Sequence, residues 1–299
     1  IMAAQVSCRQ ESPEKSSPES PPNLIFLLTD DQRWDAIGSK YETPIETPNL
    51  DTLAAQGVHF RNAFCTTSIC ASSRASILTG LYTRSHRIDT FDKPLSDSGF
   101  AASYPQMLRE HGYRTGFIGK WGVGGELPRE RFDYFEGFPG QGQYFHEVDG
   151  KQEHLTDLIA SDAIEFLDTT VEGQPFSLSV SFKAPHVQDQ DPRQFLYDPE
   201  YEDLYQGLVV EPPETADPHY LEILPDFIRE SEGRTRWERR FVNSQKYQES
   251  VKGYYRLITG VDAAVGRIVE ALRERGLDQN TWILFTSDHG EFLGDYGCF

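Results

Sequence analysis

Basic residues, cysteine and long apolar runs are scarce in this sequence. Its 299 residues include 28 Lys and Arg against 47 Asp and Glu, so the formal net charge is −19 at pH 7. No basic stretch compensates for this charge, which argues against a nucleic acid as partner. The overall field also repels anions, and an anionic substrate would therefore need a local basic pocket.

Apolar runs long enough to cross a membrane are absent, so the sequence predicts no transmembrane segment. The hydrophobic share of 38% is typical of a soluble globular protein. At 299 residues the chain can bury one large core or carry two domains. Residues 1–22 are polar and rich in Ser, Pro and Glu, which predicts a disordered leader or linker.

Four cysteines are present, and they are Cys8, Cys65, Cys70 and Cys298. None lies in a Cys-x-x-Cys zinc pattern, and a dense disulfide framework is excluded in a chain of this size. The segment that ends at Cys8 is weakly similar to the end of a bacterial lipoprotein signal, which would allow a lipid anchor at that residue.

Strand and helix patterns alternate along the chain. Residues 23–29 form a continuous apolar run, as expected for a strand buried on both faces of a parallel sheet. Further strands are predicted at 59–64, 113–118, 176–182 and 282–286, the last as another buried strand. Helices are predicted at 47–56, 70–79, 104–111, 155–167 and 247–275. This order predicts an α/β fold with a largely parallel sheet and helices on both faces. Residues 187–244 break the pattern and are predicted to be a lid-like insertion over the ligand edge.

Polar side chains recur where the predicted strands end, and the carboxyl ends of parallel strands meet at one edge of a sheet. The candidates are Asp30, Asp31, Cys70, Arg74, Lys120, His186, Asp288 and His289. The three carboxylates and the imidazole of His289 could hold a divalent cation, although acids in a capped turn are the structural alternative. Lys120, Arg74 and His186 could surround an anion and supply proton transfer.

Cys70 lies at the predicted start of a helix, one turn before Arg74. A helix N-terminus beside a guanidinium stabilises negative charge on a thiol, and it would also hold sulfate or phosphate. A buried structural cysteine in a turn is the alternative. The short Cys-x-x-Ser-Arg pattern does not decide between them.

Six motifs occur in order along the chain, and together they are far more specific than any one alone. They are Leu27-Leu28-Thr29-Asp30-Asp31-Gln32, Thr47-Pro48-Asn49-Leu50-Asp51, Cys70-Ala71-Ser72-Ser73-Arg74 with Leu78-Thr79-Gly80, Gly119-Lys120-Trp121, Ala184-Pro185-His186 and Thr286-Ser287-Asp288-His289-Gly290-Glu291. With these motifs the chain closely resembles the formylglycine-dependent sulfatases of the alkaline-phosphatase-like superfamily. The resemblance implies an α/β/α sandwich, with residues 23–299 as the N-terminal catalytic domain and the family's smaller C-terminal domain missing.

The resemblance also implies a mechanism. A maturation enzyme would oxidise Cys70 to Cα-formylglycine, whose hydrate attacks the sulfur of a sulfate ester with help from a bound Ca²⁺, or Mg²⁺. The implied metal ligands are Asp30, Asp31, modified Cys70, Asp288 and His289. The implied partners of the reacting groups are Arg74 for the formylglycine, Lys120 for the sulfate and His186 as general acid. We expect a secreted or periplasmic protein that acts on a sulfated carbohydrate.

Two residues depart from the family pattern. Ser72 stands where Pro or Ala is usual, and Gly122 stands where many relatives carry a histidine that helps to hold the formylglycine hydrate. The lysine of a Gly-Lys pair that binds sulfate in relatives is also not found after His289. Two alternatives therefore stay open: a phosphonate monoester or phosphodiester hydrolase, and a catalytically impaired binder of sulfated glycans.

Overall fold

The computed structural model describes residues 21–41 and 43–299, apart from the side chain of Ser39. Most of the predicted leader, with Cys8, lies outside the described residues. Among the described helices, none is both long and apolar enough to span a bilayer.

The described strands form a five-stranded sheet and a separate hairpin. They are β1 (Asn23–Asp30), β2 (Arg114–Lys120), β3 (Tyr134–Phe138), β4 (Phe145–Val148), β5 (Lys151–His154), β6 (Phe176–Pro185) and β7 (Thr281–Ser287). The sheet order is β3-β2-β6-β1-β7, and every pairing in it is parallel. β4 and β5 pair antiparallel. The prediction of a largely parallel sheet is confirmed.

Helices precede and follow these strands in the described chain. They are α1 (Gly38–Tyr41), α2 (Pro48–Gln56), α3 (Cys70–Thr79), α4 (Thr83–His86), α5 (Asp97–Ala101), α6 (Tyr104–Glu110), α7 (Leu155–Asp168), α8 (Pro218–Glu222), α9 (Asp226–Arg229), α10 (Glu232–Arg240) and α11 (Ser244–Glu274). Five of them, α2, α3, α6, α7 and α11, lie where the apolar periodicity predicts a helix.

The sheet is covered on both faces, as the α/β/α prediction requires. On one face, apolar side chains of α7 and α11 pack against the strands and form the larger core, with Phe166, Ile258 and Leu178 among its fully buried members. A smaller core on the other face joins α3 to β2, where Leu78 belongs to the same cluster as Phe117. The sheet thus lies between two apolar layers, and the candidate residues Asp30 and Lys120 lie at the ends of its strands.

Two details of the predicted strands are wrong. Residues 59–64 form no strand, and Phe60 and Phe64 are 76% and 86% exposed, because this segment lies away from the sheet and has no strand to pair with. The strand at 282–286 exists as β7 but is not buried on both faces. It lies at the edge of the sheet, where Trp282 is exposed.

Candidate active site

The carboxyl ends of four neighbouring strands meet at one edge of the sheet. β1 ends at Asp30, β2 ends at Lys120, and Asp288 follows β7 directly. His186 follows β6, and α3 brings Cys70 and Arg74 to the same place. The structure therefore brings together all eight residues singled out from the sequence, while their chemical roles stay predictions.

Asp31 forms a sharp turn directly after β1. Its φ of 68° is in the left-handed region, which Asp tolerates better than most residues. The N–H of Asp31 donates to Oδ1 of Asp288 at 3.1 Å, and its carbonyl accepts from the hydroxyl of Tyr254 at 3.0 Å. Long-range contacts from Asp288, directly after β7, and from Tyr254 of α11 therefore stabilise the turn that positions the Asp31 carboxylate.

Four side chains form a candidate cation site. One ligand atom each from Asp30, Asp31, Cys70 and His289 lies within 4.8 Å of the others. Oδ1 of Asp30 and Oδ1 of Asp31 are buried and accept no hydrogen bond from the described residues. Burying carboxylate oxygens without a hydrogen bond is costly even where an ion-pair partner is near, as Nη2 of Arg74 is to Oδ1 of Asp30 at 3.6 Å, and a divalent cation would reduce that cost. The two carboxylates suit a hard divalent cation, whereas the Cys70 thiol does not, so the fit depends on the predicted oxidation of Cys70, whose hydrate would present oxygen.

His289 extends over this group from the loop after β7. Its Nε2 lies 3.2 Å from Oδ1 of Asp31 and 3.3 Å from Sγ of Cys70. Burial lowers the pKa of His289, but Asp31 and Asp288 raise it more, so the net shift is upward.

Asp288 has a different environment from the other candidate ligands. Its Oδ1 accepts the N–H groups of Asp31 and His289 at 3.1 and 2.8 Å, and its Oδ2 accepts Nε of Arg74 at 3.0 Å. Burial and the nearby Asp30 raise the pKa of Asp288 to about 7. Through these hydrogen bonds Asp288 stabilises the turn at Asp31 and the loop after β7. Its role as a metal ligand remains a prediction.

Arg74 is a buried cation, only 2% exposed, that pairs with both Asp30 and Asp288. Its Nη1 donates to the carbonyl of Lys120 at 3.0 Å and to Oγ of Ser181 at 2.5 Å. Its Nη2 lies 3.6 Å from Oδ1 of Asp30. Its Nε donates to Asp288, as described above. Through these contacts the guanidinium fixes α3 against β6 and against the ends of β1, β2 and β7.

Lys120 is a second buried cation. Its Nζ donates to Oδ2 of Asp30 and, at 2.6 Å, to Oε1 of Gln141. Burial lowers the pKa of Lys120, but Asp30, Cys70 and Asp288 together raise it more, so the net shift is upward and the amine stays charged. Burial would likewise raise the pKa of Asp30, yet Lys120 and Arg74 hold it well below its ordinary value.

His186 is held in one tautomer by the backbone carbonyl of the next residue, Val187. Nδ1 lies 2.8 Å from the carbonyl of Val187, and because a carbonyl can only accept, Nδ1 must carry the proton. Nε2 lies 3.6 Å from Oδ2 of Asp31. Burial lowers the pKa of His186. The Nε2 edge of the ring is therefore the one that faces the candidate cation site.

Cys70 is a buried free thiol at the first position of α3. Burial, together with Asp30, raises its pKa above the ordinary value of a thiol. The expectation that the helix N-terminus and Arg74 favour a thiolate is therefore wrong for the unmodified side chain. Burial of the thiol is the largest cause of the upward shift in pKa, and the neighbouring carboxylates add to it.

Five of the eight candidate residues line a cavity of about 580 Å³, while Asp30, Arg74 and Asp288 lie behind its wall. Cys70, Lys120, His186 and His289 lie in its wall, and so does the exposed Phe91. The segment predicted as a lid-like insertion contributes Asp189, Glu232, Gly233 and Arg236 to the same wall. The closing movement of a lid stays a prediction.

The surroundings of Gly122 explain why a glycine stands where many relatives carry a histidine. It lines the cavity with a φ of 69°, and a Cβ at this position would lie 2.7 Å from Cδ of Arg74. A side chain at residue 122 would therefore need a strained backbone and a shift of Arg74. The histidine expected at this position has no room in the present arrangement.

Comparison with known proteins agrees with this geometry. The family model described as "Sulfatase" matches residues 22–297. The chain belongs to the sulfatase family. It is 28% identical to the N-acetylglucosamine-6-O-sulfatase of Bacteroides thetaiotaomicron, over 96% of this chain and 61% of that protein.

Two solved structures show the same fold. One of these proteins was solved in complex with its substrate D-glucosamine-2-N,6-O-disulfate. It superposes with a TM-score of 0.74 at 25% identity, over 93% of this chain and 67% of that one. The phosphonate monoester hydrolase of Silicibacter pomeroyi superposes with a TM-score of 0.75 at 21% identity, over 93% of this chain and 64% of that one. The latter likeness shows the fold alone. The chain thus spans roughly two thirds of the length of these proteins.

Sequence reasoning missed two polar residues in contact with the predicted site. Ser181, in the interior of β6, binds Arg74, and Gln141 binds Lys120 from the loop after β3. β3 itself was not predicted, because five residues with glycine at the fourth position give little alternation to detect. The Gly-Gln-Gly sequence at 140–142 was the available signal for a tight, polar loop.

Removal of the candidate cation is expected to lower stability. Ca²⁺ at about a hundred times its Kd should raise the free energy of unfolding by about 2.7 kcal/mol, and thermal unfolding with and without a chelator would measure the shift. Asp31→Asn should weaken Ca²⁺ binding by about tenfold to a hundredfold or more. Asp149→Asn is the matched control, because Asp149 is exposed and also has a left-handed φ. An equal Ca²⁺ shift in both variants would contradict the site.

Proposed function

We propose that this chain hydrolyses a sulfate ester on a carbohydrate, with a nucleophile made by oxidation of Cys70 to Cα-formylglycine. The observation that carries the proposal is the clustering around Cys70 of a candidate cation site, two buried cations and His186, with Lys120 and His186 in the wall of the same cavity as Cys70. Membership of the sulfatase family supports it independently.

The cation site supports activation of the modified Cys70. Asp30, Asp31 and His289 would hold the ion, with Asp288 as a further predicted ligand. When bound, a divalent cation lowers the pKa of a coordinated hydroxyl and polarises a coordinated oxygen. Ca²⁺ is the proposed ion, as the family resemblance implies, with Mg²⁺ as the alternative, because carboxylate ligands suit both.

The buried cations supply the local basic pocket that an acidic chain needs for an anionic substrate. Lys120 lies in the cavity wall, and Arg74 lies directly behind it with Nη1 on the Lys120 carbonyl. Charge that develops on the sulfate oxygens would be stabilised by these preorganised donors. Arg74 also fixes the helix that carries Cys70.

His186 is placed to handle the proton of the leaving group. Its Nδ1–H is engaged by the Val187 carbonyl, which leaves Nε2 on the cavity side of the ring. To act as general acid, Nε2 must carry a proton. Burial lowers the pKa of His186 and opposes that state, while the Asp31 carboxylate, 3.6 Å away, favours it. His186 would then protonate the departing sugar oxygen.

A sulfated sugar is the proposed substrate class, and a formylglycine-generating maturation enzyme is the proposed partner. The N-acetylglucosamine-6-O-sulfatase relative and the relative solved with a disulfated glucosamine both support a sulfated sugar. A secreted or periplasmic location, with a lipid anchor at Cys8 as one option, remains a prediction.

Relative activity on aryl sulfate and aryl phosphonate esters tests the proposed reaction. Protein co-expressed with a maturation enzyme should show a kcat/KM for 4-nitrophenyl sulfate more than about tenfold above that for a 4-nitrophenyl phosphonate monoester. Preference for the phosphonate would instead favour the phosphonate hydrolase alternative. Binding of sulfated sugars without turnover, in protein whose residue 70 is matured, would favour a non-catalytic binder.

A further inference from the structure

Gln141 is brought to the candidate active site by the register of the sheet. β2 and β3 pair in parallel with Lys120 opposite Phe138, so the two strands end side by side. Gln141 follows three residues after Phe138, and it lines the same cavity as Lys120, Cys70 and His186.

The loop that carries Gln141 has a backbone conformation that favours glycine on both sides of this residue. The glycines on both sides have left-handed φ values, 63° at Gly140 and 65° at Gly142. A Cβ at Gly142 would also lie 2.6 Å from the ring of Phe138. Glycine is needed here for both conformation and space, and the resulting tight turn directs Gln141 back toward the end of β2.

The orientation of the Gln141 amide follows from chemistry. Its Oε1 accepts a hydrogen bond from Nζ of Lys120 at 2.6 Å. An ammonium group can only donate, so the oxygen and not the nitrogen must face Lys120. The Nε2 end carries two N–H donors, and these donate to none of the described residues. An amide with one end fixed and its donors free, in a cavity wall, is preorganised to bind an acceptor.

We infer that Gln141 is a substrate-binding residue, whose Nε2 donates a hydrogen bond to an oxygen of the substrate's sulfate group beside Lys120. This inference rests on the proposed hydrolysis of a sulfate ester. Gln141 adds a neutral donor next to a charged one, on the side of the cavity where Gly122 offers no side chain. A hydrogen bond to a charged acceptor contributes more than one between neutral groups.

Binding of inorganic sulfate to the Ca²⁺-loaded protein tests this role. Gln141→Leu should raise the Kd for sulfate, measured by calorimetry, about tenfold to a hundredfold. The KM for an aryl sulfate should rise with it. Gln143→Leu is the matched control, since Gln143 lies in the same loop, bonds to Gln188 and does not line the cavity. Its Kd for sulfate should equal that of the unaltered protein.

Gln141→Met separates direct binding from support of Lys120. Methionine has a similar length and keeps a weak acceptor for Lys120, but it has neither an N–H donor nor a charge that would repel sulfate, so sulfate binding should stay weak. Restored binding in this variant would overturn the inference, because Gln141 would then act only through Lys120. An unchanged Kd in Gln141→Leu, or no sulfate binding by the unaltered protein, would also overturn it. Sulfate binding that depends on Gln141 in a protein that hydrolyses no sulfate ester would support the inference and contradict the proposed function.

Discussion

Replacing Cys70 by alanine should lower kcat/KM for a sulfate ester by about 10⁴- to 10⁶-fold, the range seen when a nucleophile is removed from an enzyme. Alanine cannot be converted to formylglycine, so the attacking hydroxyl is lost while the rest of the cavity stays. Lys120 and Gln141 still line the cavity, and sulfate should therefore still bind. Steady-state kinetics with an aryl sulfate, together with calorimetry of sulfate binding, would measure both effects.

Cys65→Ala is the control for that variant. Cys65 is also a free thiol, five residues before Cys70, but it is exposed and does not line the cavity. Its replacement should leave kcat/KM close to that of the unaltered protein. Substantial turnover by Cys70→Ala would contradict the proposed role of residue 70.

Replacing Arg74 by methionine should destabilise the fold as well as abolish turnover. The guanidinium contacts Asp288, Ser181, the Lys120 carbonyl and Asp30, all buried. Removing one partner of a buried ion pair costs about 3–5 kcal/mol, because the remaining charge is left without compensation. The midpoint of urea unfolding should fall accordingly, and the loss should be larger in chelator than in saturating Ca²⁺.

Arg84→Met makes the same change on an exposed arginine of α4. Its effect on the free energy of unfolding should stay within about 0.5 kcal/mol, since surface substitutions rarely exceed that value. Arg74→Lys should not restore the fold fully, because an ammonium cannot reproduce the planar fork that binds several acceptors at once. Equal stability of Arg74→Met and Arg84→Met would contradict the organising role of Arg74.

Much of the architecture could be predicted, because strong local signals coincide with the sheet. The apolar run of β1 ends in two adjacent acids, and glycine follows the ends of α2 and α3 where the periodicity stops. Parallel topology then brings distant strand ends together, which is why Asp30, Lys120 and Asp288 could be placed in one site from sequence.

Other features depend on contacts that no local pattern records. The segment 59–64 has β-like composition, yet it pairs with no strand and leaves Phe60 exposed. The hydrogen bonds that Asp288 accepts from Arg74 and from two backbone N–H groups depend on the tertiary arrangement of β1, β7 and α3. Gln141 likewise becomes significant only once the register of β3 against β2 is known.

Mass spectrometry of the tryptic peptide 62–74 tests the central claim most directly. The peptide contains both Cys65 and Cys70, so Cys65 serves as an internal control that should remain an alkylatable thiol. In protein co-expressed with a maturation enzyme, we expect residue 70 to carry the mass of formylglycine and to react with an aldehyde reagent. An intact thiol at residue 70 in protein that hydrolyses sulfate esters would contradict the account.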